Sequence, residues 1–145
     1  MKITPSVWCV LGFAMLAGAY STVRAQQAAS VLDGVYTDAQ AKRGDKVFAD
    51  TCAPCHGAKL EGTDTGGPTL VGKDFISGWK DMSAGALLSK ISNDMPSNAP
   101  GTLTPAQYAD VMAFVLSVNK YPTGQTELPT DANALRAVKM AEPRP

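Results

Sequence analysis

Apolar residues recur every three or four positions in three segments of the chain, which is the spacing of an amphipathic helix. In the first segment the pattern includes Ala41 and Phe48. Thr37 stands just before it, where a hydroxyl can cap the first turn, and Gln40 is placed to reach back and complete a capping box. The pattern predicts a helix over residues 38–51.

The other two helical segments also begin with capping residues. Ser83 precedes an apolar face that predicts a helix over residues 84–93. Thr104 is followed by a proline at the first helical position and by a glutamine that completes a capping box, which predicts a helix over residues 105–118. No segment shows the alternation of a strand, and no repeat or heptad is present. The sequence therefore predicts an all-α fold with three main helices.

Long segments without periodicity separate these helices. Residues 57–78 are rich in Gly, Thr and Pro and predict a loop, as do residues 97–101. A loop of the first length is uncommon in a compact domain unless it has something apolar to cover, which favours a cofactor beneath it. Near the C-terminus we expect a short helix over residues 131–140.

The first 25 residues have the features of an export signal. Lys2 gives a positive start, an apolar run follows over residues 7–20, and Val23-Arg24-Ala25 supplies the small residues that a signal peptidase recognises. We therefore expect a signal peptide over residues 1–25, cleaved before Gln26, and a periplasmic location. An uncleaved segment would instead be an N-terminal anchor and bring the protein to the membrane.

Without this signal, the chain divides into a flexible lead-in (26–36), a main domain (37–119) and a C-terminal extension (120–145). We expect the extension either to pack back on the domain or to dock on a partner. The remaining chain has 11 basic and 13 acidic residues, and neither kind forms a block. Binding to nucleic acid therefore has no electrostatic support.

The cysteines and the histidine that remain lie together in Cys52-Ala53-Pro54-Cys55-His56. Cys-x-x-Cys-His is the pattern that attaches haem c. Two intervening residues let one turn of chain present both sulfurs to the two vinyl groups on one edge of the porphyrin. The adjacent histidine can then bind the iron. The motif predicts one covalently attached haem c.

Three other chemistries use closely spaced cysteines. A thioredoxin-like site has the same Cys-x-x-Cys spacing but follows a strand, whereas here a helix is predicted before the motif. A structural zinc needs four ligands, and only three Cys and His residues remain. A plain disulfide between Cys52 and Cys55 is allowed after export but leaves His56 without a role.

An iron bound by His56 needs a different kind of residue on its opposite side, because the chain has one histidine. Methionine, lysine, an amine or an open site are left. Met95 lies in a loop after a predicted helix, precedes a proline, and is far enough along the chain to reach the opposite haem face. The other candidates are Met82, Met112 and Met140. We expect Met95 to be the second iron ligand.

Over residues 37–119 the chain resembles the class I cytochromes c. Gly44 and Phe48 are similar to the glycine and the aromatic residue with which the first helix of that family crosses the last. Phe114 resembles the aromatic partner on the last helix. The resemblance implies a cytochrome c fold, in which helices and long loops wrap round one haem.

Two further segments carry this resemblance. The Gly-Pro-Thr-Leu segment with Pro68 and Leu70 resembles one that lines the haem in the family, which implies that the Pro68 carbonyl accepts a hydrogen bond from Nδ1 of His56. The segment that begins at Met95 resembles the methionine-ligand segment of small bacterial cytochromes that serve quinoprotein or related periplasmic dehydrogenases. Trp79 either donates its indole N–H to a haem propionate or fills the core.

These residues predict a periplasmic one-electron carrier, with a dehydrogenase as donor and a cytochrome or an oxidase as acceptor. The alternative is a haem enzyme whose sixth site is open to peroxide, a gas or a sulfur compound. A haem-free redox or binding module is the third class.

Overall fold

The computed structural model describes residues 28–64 and 66–143, and within them it contains helices and no strand. The predicted all-α fold is therefore confirmed, whereas the expected signal peptide lies outside the described residues. None of the described helices has the length and the apolar content to cross a membrane. The α-helices are α1 (Asp38–Thr51), α2 (Ala53–His56), α3 (Gly72–Trp79), α4 (Ala84–Asp94) and α5 (Pro105–Val118), and two short 3-10 helices cover Val31–Asp33 and Ala132–Leu135.

The capping signals locate the three predicted helices. The side chains of Thr37, Ser83 and Thr104 each accept a backbone N–H in the first turn of α1, α4 and α5. The expected capping box at Gln40 is wrong. Its amide is buried and exchanges two hydrogen bonds with the backbone of Leu128, at 3.2 and 2.8 Å. A partner 88 residues away has replaced the local one.

Helices α1 and α5 cross in close contact at Gly44. A Cβ atom at this position would overlap the backbone carbonyl of Asp110, so only glycine lets the two helices approach this closely. Beside the crossing, the rings of Phe48 and Phe114 lie 5.3 Å apart between centroids at an angle of 54°. Tilted aromatic pairs at this separation attract one another. The crossing has the residues that the resemblance to class I cytochromes c implies.

Helix α3 corrects the prediction of a continuous loop over residues 57–78. Phe75, Ile76 and Trp79 are at helical spacing, and the Phe75 and Trp79 rings lie 6.4 Å apart. Val71 at the N-cap makes no side-chain capping bond, so this helix has no capping signal in the sequence. The helix expected over residues 131–140 is also shorter than predicted, because the chain there forms only the 3-10 helix Ala132–Leu135.

The C-terminal extension packs back on the domain, which was one of its two expected roles. The Tyr36 hydroxyl donates to the Tyr121 carbonyl at 2.6 Å, and Met140 donates its N–H to the Met82 carbonyl at 2.8 Å. The buried side chains of the extension, which join the hydrophobic core, are Tyr121, Leu128, Leu135, Val138 and Met140. The extension therefore completes the core that α1, α4 and α5 form.

Candidate functional site

The Cys-x-x-Cys-His motif forms one helical turn directly after α1. Cys52 is the C-cap of α1 and the N-cap of α2, and its carbonyl accepts the N–H groups of Cys55 and His56 at 3.1 and 2.9 Å. Residues three apart on a helix share a face, so the two cysteines point to the same side of the turn. Both are free thiols, with Cys52 half-buried and Cys55 exposed.

The loop after α2 orients the imidazole of His56. Its Nδ1 lies 2.8 Å from the Pro68 carbonyl oxygen, and the ring is buried, with 8% of the residue exposed. A carbonyl can only accept a hydrogen bond, so Nδ1 carries the proton. In this tautomer Nε2 holds the lone pair, and no hydrogen bond in residues 28–64 and 66–143 uses it. The histidine is therefore held in the tautomer and orientation that a metal ligand requires.

The same loop covers the imidazole with a glycine. A Cβ atom on Gly67 would overlap the ring of His56, so the backbone lies directly against it. Gly67 also donates its N–H to the Cys55 carbonyl at 2.9 Å, and Thr63 donates its hydroxyl to the same oxygen at 2.9 Å. These bonds attach the loop to the motif.

Asn119, which the sequence analysis did not single out, holds the next part of this loop. Its side chain is buried at the end of α5, donates to the Leu70 carbonyl at 2.9 Å and accepts the Gly72 N–H at 2.9 Å. A polar residue after a capped apolar helix is a weak signal in sequence. Its two partners lie 47 and 49 residues away, so the pattern could not reveal them.

The other predicted haem contacts lie on separate elements. Leu70 is half-buried against the core, and its N–H donates to the Leu60 carbonyl at 2.7 Å. Trp79 ends α3 and is also half-buried, so it packs at the edge of the core and does not fill its interior. Its ring lies 6.4 Å from the ring of Phe75 between centroids. The contacts of Leu70 and Trp79 to a haem stay predictions.

The four methionines of the described residues differ in their surroundings. Met112 and Met140 are enclosed in the core, with 0% and 1% of their surface exposed, whereas Met82 is 44% exposed. Met95 ends α4 and is half-buried. Its carbonyl accepts the hydroxyl of Tyr108 at 2.9 Å. Tyr108 is buried in the core, and its hydroxyl also holds the Met95 backbone.

The structure also bears on the competing chemistries. Burial raises the pKa of the Cys52 thiol to about 11, with a further contribution from neighbouring Cys55. A thioredoxin-like nucleophile needs the opposite shift, because the thiolate is the reactive form. Both cysteines are unpaired, so no disulfide links them. In residues 28–64 and 66–143 no three His, Cys, Asp or Glu side chains are grouped to hold a metal ion.

The donor set fits a c-type haem. Two free thiols on one turn match the two vinyl groups of the porphyrin edge, and the imidazole presents Nε2 while Nδ1 is held by Pro68. This motif, on the turn that directly follows α1, defines the class of protein as a cytochrome c domain.

Comparison with protein families gives the family. Residues 39–115, just over half of the chain, match the model described as cytochrome c oxidase, cbb3-type, subunit III. The chain belongs to this family. Its domain therefore binds c-type haem and functions in haem-based electron transfer.

Two known proteins are similar to this chain. Over 80 residues it is 32% identical to the cbb3-type cytochrome c oxidase subunit CcoP of Rubrivivax gelatinosus, which covers 54% of this chain and 26% of that subunit. The chain thus spans about a quarter of the length of this relative. In structure it is similar to the sulfane dehydrogenase SoxCD from Paracoccus pantotrophus, with a TM-score of 0.47, 22% identity, and coverage of 74% of this chain and 60% of that one.

Proposed function

We propose that this chain is a periplasmic one-electron carrier with a single haem, attached through Cys52 and Cys55 and ligated by His56 and Met95. The observation that carries the proposal is the hydrogen bond between His56 Nδ1 and the Pro68 carbonyl, at 2.8 Å, directly beside two free thiols on one turn. When bound, the haem supplies an Fe(III)/Fe(II) couple that accepts and releases one electron.

The residues on the histidine side have defined roles in this proposal. The Pro68 carbonyl keeps the proton on Nδ1, which fixes the ring orientation and strengthens Nε2 as a donor to iron. Cys52 and Cys55 would hold the haem through two thioether links, formed by addition of each thiol to a vinyl group, and would keep it bound in both oxidation states. Leu70 would line the haem, and the indole N–H of Trp79 would donate to a propionate.

Met95 is proposed as the second ligand because the surroundings of the other methionines do not suit the role. Met112 and Met140 are enclosed by the core, and the exposed Met82 precedes α4 with its carbonyl bonded to Met140. Met95 is half-buried at the end of α4, and its backbone is tied to two helices. A thioether ligand in an apolar setting favours the ferrous state and raises the reduction potential.

The partners follow from the same proposal. Cys55 is exposed, so the haem edge attached to it would be accessible to a redox protein through a small, transient interface. A dehydrogenase is the proposed donor, and a cytochrome or an oxidase is the proposed acceptor. Similarity to a subunit of a cbb3-type oxidase supports an oxidase as acceptor. The chain acts as an electron-transfer component and not as a catalytic enzyme.

The decisive experiment is optical spectroscopy of the ferric holoprotein, produced with its export signal in a host that attaches haem c. We expect a low-spin spectrum with the weak long-wavelength band of sulfur-to-iron ligation. The band should vanish in Met95→Ala and persist in the matched control Met82→Ala. A high-spin ferric spectrum of the wild type would contradict the carrier and favour the open-site enzyme.

Covalent attachment is tested separately by acid–acetone extraction of the denatured protein. We expect the haem to remain with the wild-type polypeptide and to be extracted from a Cys52→Ala/Cys55→Ala double variant. Haem that leaves the wild-type chain in this solvent contradicts attachment through the two thiols.

A further inference from the structure

Tyr108 joins the two ends of the segment that follows α4, residues 95–103. Its hydroxyl donates to the Met95 carbonyl at 2.9 Å and accepts the Leu103 N–H at 3.4 Å. The residue belongs to the first turns of α5 and is buried, with 4% of its surface exposed. One hydroxyl group thus links the start and the end of the segment to the helix that crosses α1.

The rest of this segment is held by short-range bonds alone. Ala99 donates its N–H to the Pro96 carbonyl at 2.9 Å, and Thr102 donates its hydroxyl to the Ala99 carbonyl at 2.9 Å. Among the described hydrogen bonds, those that tie residues 95–103 to the helices are the two of Tyr108 and the bond from Met95 N–H to Ile91 in α4, at 3.2 Å. Segments with few buried contacts open at low free-energy cost, so each of these ties matters.

Met95 is therefore fixed on both sides of its own Cα atom. Its N–H continues the ladder of α4, and its carbonyl is bonded to Tyr108. With both neighbouring peptide groups held, the direction in which its side chain leaves the backbone is set by α4 and α5 together.

We propose that Tyr108 is a positioning residue for Met95: its hydroxyl holds the backbone from which the thioether reaches the iron, and so stabilises the ligated over the detached form. This inference rests on the proposed ligation by Met95. Detachment of the thioether requires the segment to move away, and that movement breaks the bond to the buried hydroxyl. Removal of the hydroxyl should therefore raise the population of the detached form.

The chain contains a matched control for this test. Tyr36 is also a buried tyrosine, and its hydroxyl donates to the Tyr121 carbonyl at 2.6 Å, between the lead-in and the C-terminal extension. Tyr108→Phe and Tyr36→Phe each keep the ring and remove one buried hydroxyl that is bonded to a carbonyl. Both should lose stability towards denaturant, but only one of the two bonds involves Met95.

The experiment is a titration of the ferric holoproteins with imidazole, which binds the iron only after the methionine has left. The apparent affinity for imidazole should rise about five- to tenfold in Tyr108→Phe, which corresponds to the loss of one buried hydrogen bond. In Tyr36→Phe it should remain that of the wild type. The sulfur-to-iron band should weaken, or broaden on warming, in Tyr108→Phe alone.

Two results of these spectroscopic measurements would overturn the inference, and they are distinguishable. In the first, the wild type shows the sulfur-to-iron band but both variants bind imidazole like the wild type. Met95 is then an iron ligand, but Tyr108 does not position it. If the wild type lacks the band, the ligation by Met95 fails and the inference fails with it. Amide hydrogen exchange gives a check that needs no variant: the Leu103 N–H should be protected in the wild-type holoprotein, and free exchange there would refute the bond to Tyr108.

Discussion

The backbone of the loop packs so closely around His56 that there is no room for an added atom. The Pro68 carbonyl accepts the Nδ1 proton, and Gly67 lies directly against the ring because it lacks a Cβ. The same backbone is bonded to the Cys55 carbonyl, so the loop, the thiols and the imidazole form one unit. The orientation of the His56 imidazole therefore depends on Gly67, which has no side chain.

Gly67→Ala tests this contact. The added methyl would overlap the imidazole, so we expect the loop or the ring to shift, with a loss of about 1–3 kcal/mol in stability. The fraction of chains with attached haem, measured from haem absorbance per protein, should fall. Gly78→Ala in α3 is the control, because a Cβ there has nothing within 4 Å and alanine is the better helix former. Equal haem content in the two variants would mean that the loop does not lie on the ring.

Helix α5 holds the segments on both sides of the proposed iron site. Near its start Tyr108 is bonded to Met95, and at its end Asn119 is bonded to Leu70 and Gly72, just beyond Pro68. The two positions are eleven apart in sequence, which is a rise of about 16.5 Å along the helix. Because α5 is also packed closely on α1 at Gly44, this rigid spacing relates both segments to the helix that precedes the motif.

Asn119→Ala is the corresponding test for the end of α5. It leaves the Leu70 carbonyl and the Gly72 N–H without their partner, which should cost about 2–3 kcal/mol of unfolding free energy. Denaturant unfolding of the holoprotein measures this loss. Asn93→Ala, an exposed asparagine in α4, should change the free energy by less than about 0.5 kcal/mol. A similarly small change for Asn119→Ala would show that solvent replaces its bonds without cost.

At the scale of the whole molecule, the C-terminal extension forms part of the core. The apolar pattern of the sequence alone would not reveal this. Gln40 is bonded to the backbone of Leu128, and Arg43 of α1 forms paired hydrogen bonds with both Asp110 of α5 and Glu127 of the extension. Three distant parts of the sequence meet at one guanidinium. The extension is therefore fastened to the α1–α5 pair by charge as well as by apolar burial.

This attachment predicts a pH dependence. The hydrogen bonds from Arg43 hold the pKa of Glu127 below its ordinary value of 4.5. As the pH falls below about 4.5, Glu127 takes up a proton in the unfolded chain before it does so in the folded one. The contribution of the ion pair to stability is therefore present above about pH 4.5 and is lost below it. Thermal unfolding midpoints of Glu127→Gln should therefore fall less steeply with acid than those of the wild type. Asp45→Asn, an exposed acid on α1, is the control and should keep the wild-type slope.

The sequence predicted correctly those features that depend on interactions between residues close together in the chain. The caps at Thr37, Ser83 and Thr104 locate three helices, because a hydroxyl satisfies N–H groups two or three positions away. The Cys-x-x-Cys-His motif predicts its own chemistry for the same reason. Helix α3 was missed because it has no capping signal, and its apolar residues stand among glycines that favour a loop.

The chain sequence alone therefore established the helical class, the haem motif and the absence of a second histidine. It could not show that Gln40 turns inward to Leu128, that Asn119 holds the loop beyond Pro68, or that Tyr108 is bonded to Met95. Each of these side chains has a local alternative: a cap for Gln40, a helix end for Asn119 and a core position for Tyr108. The choice between them comes from burial, because a buried polar group must find its partner wherever the folded chain brings one.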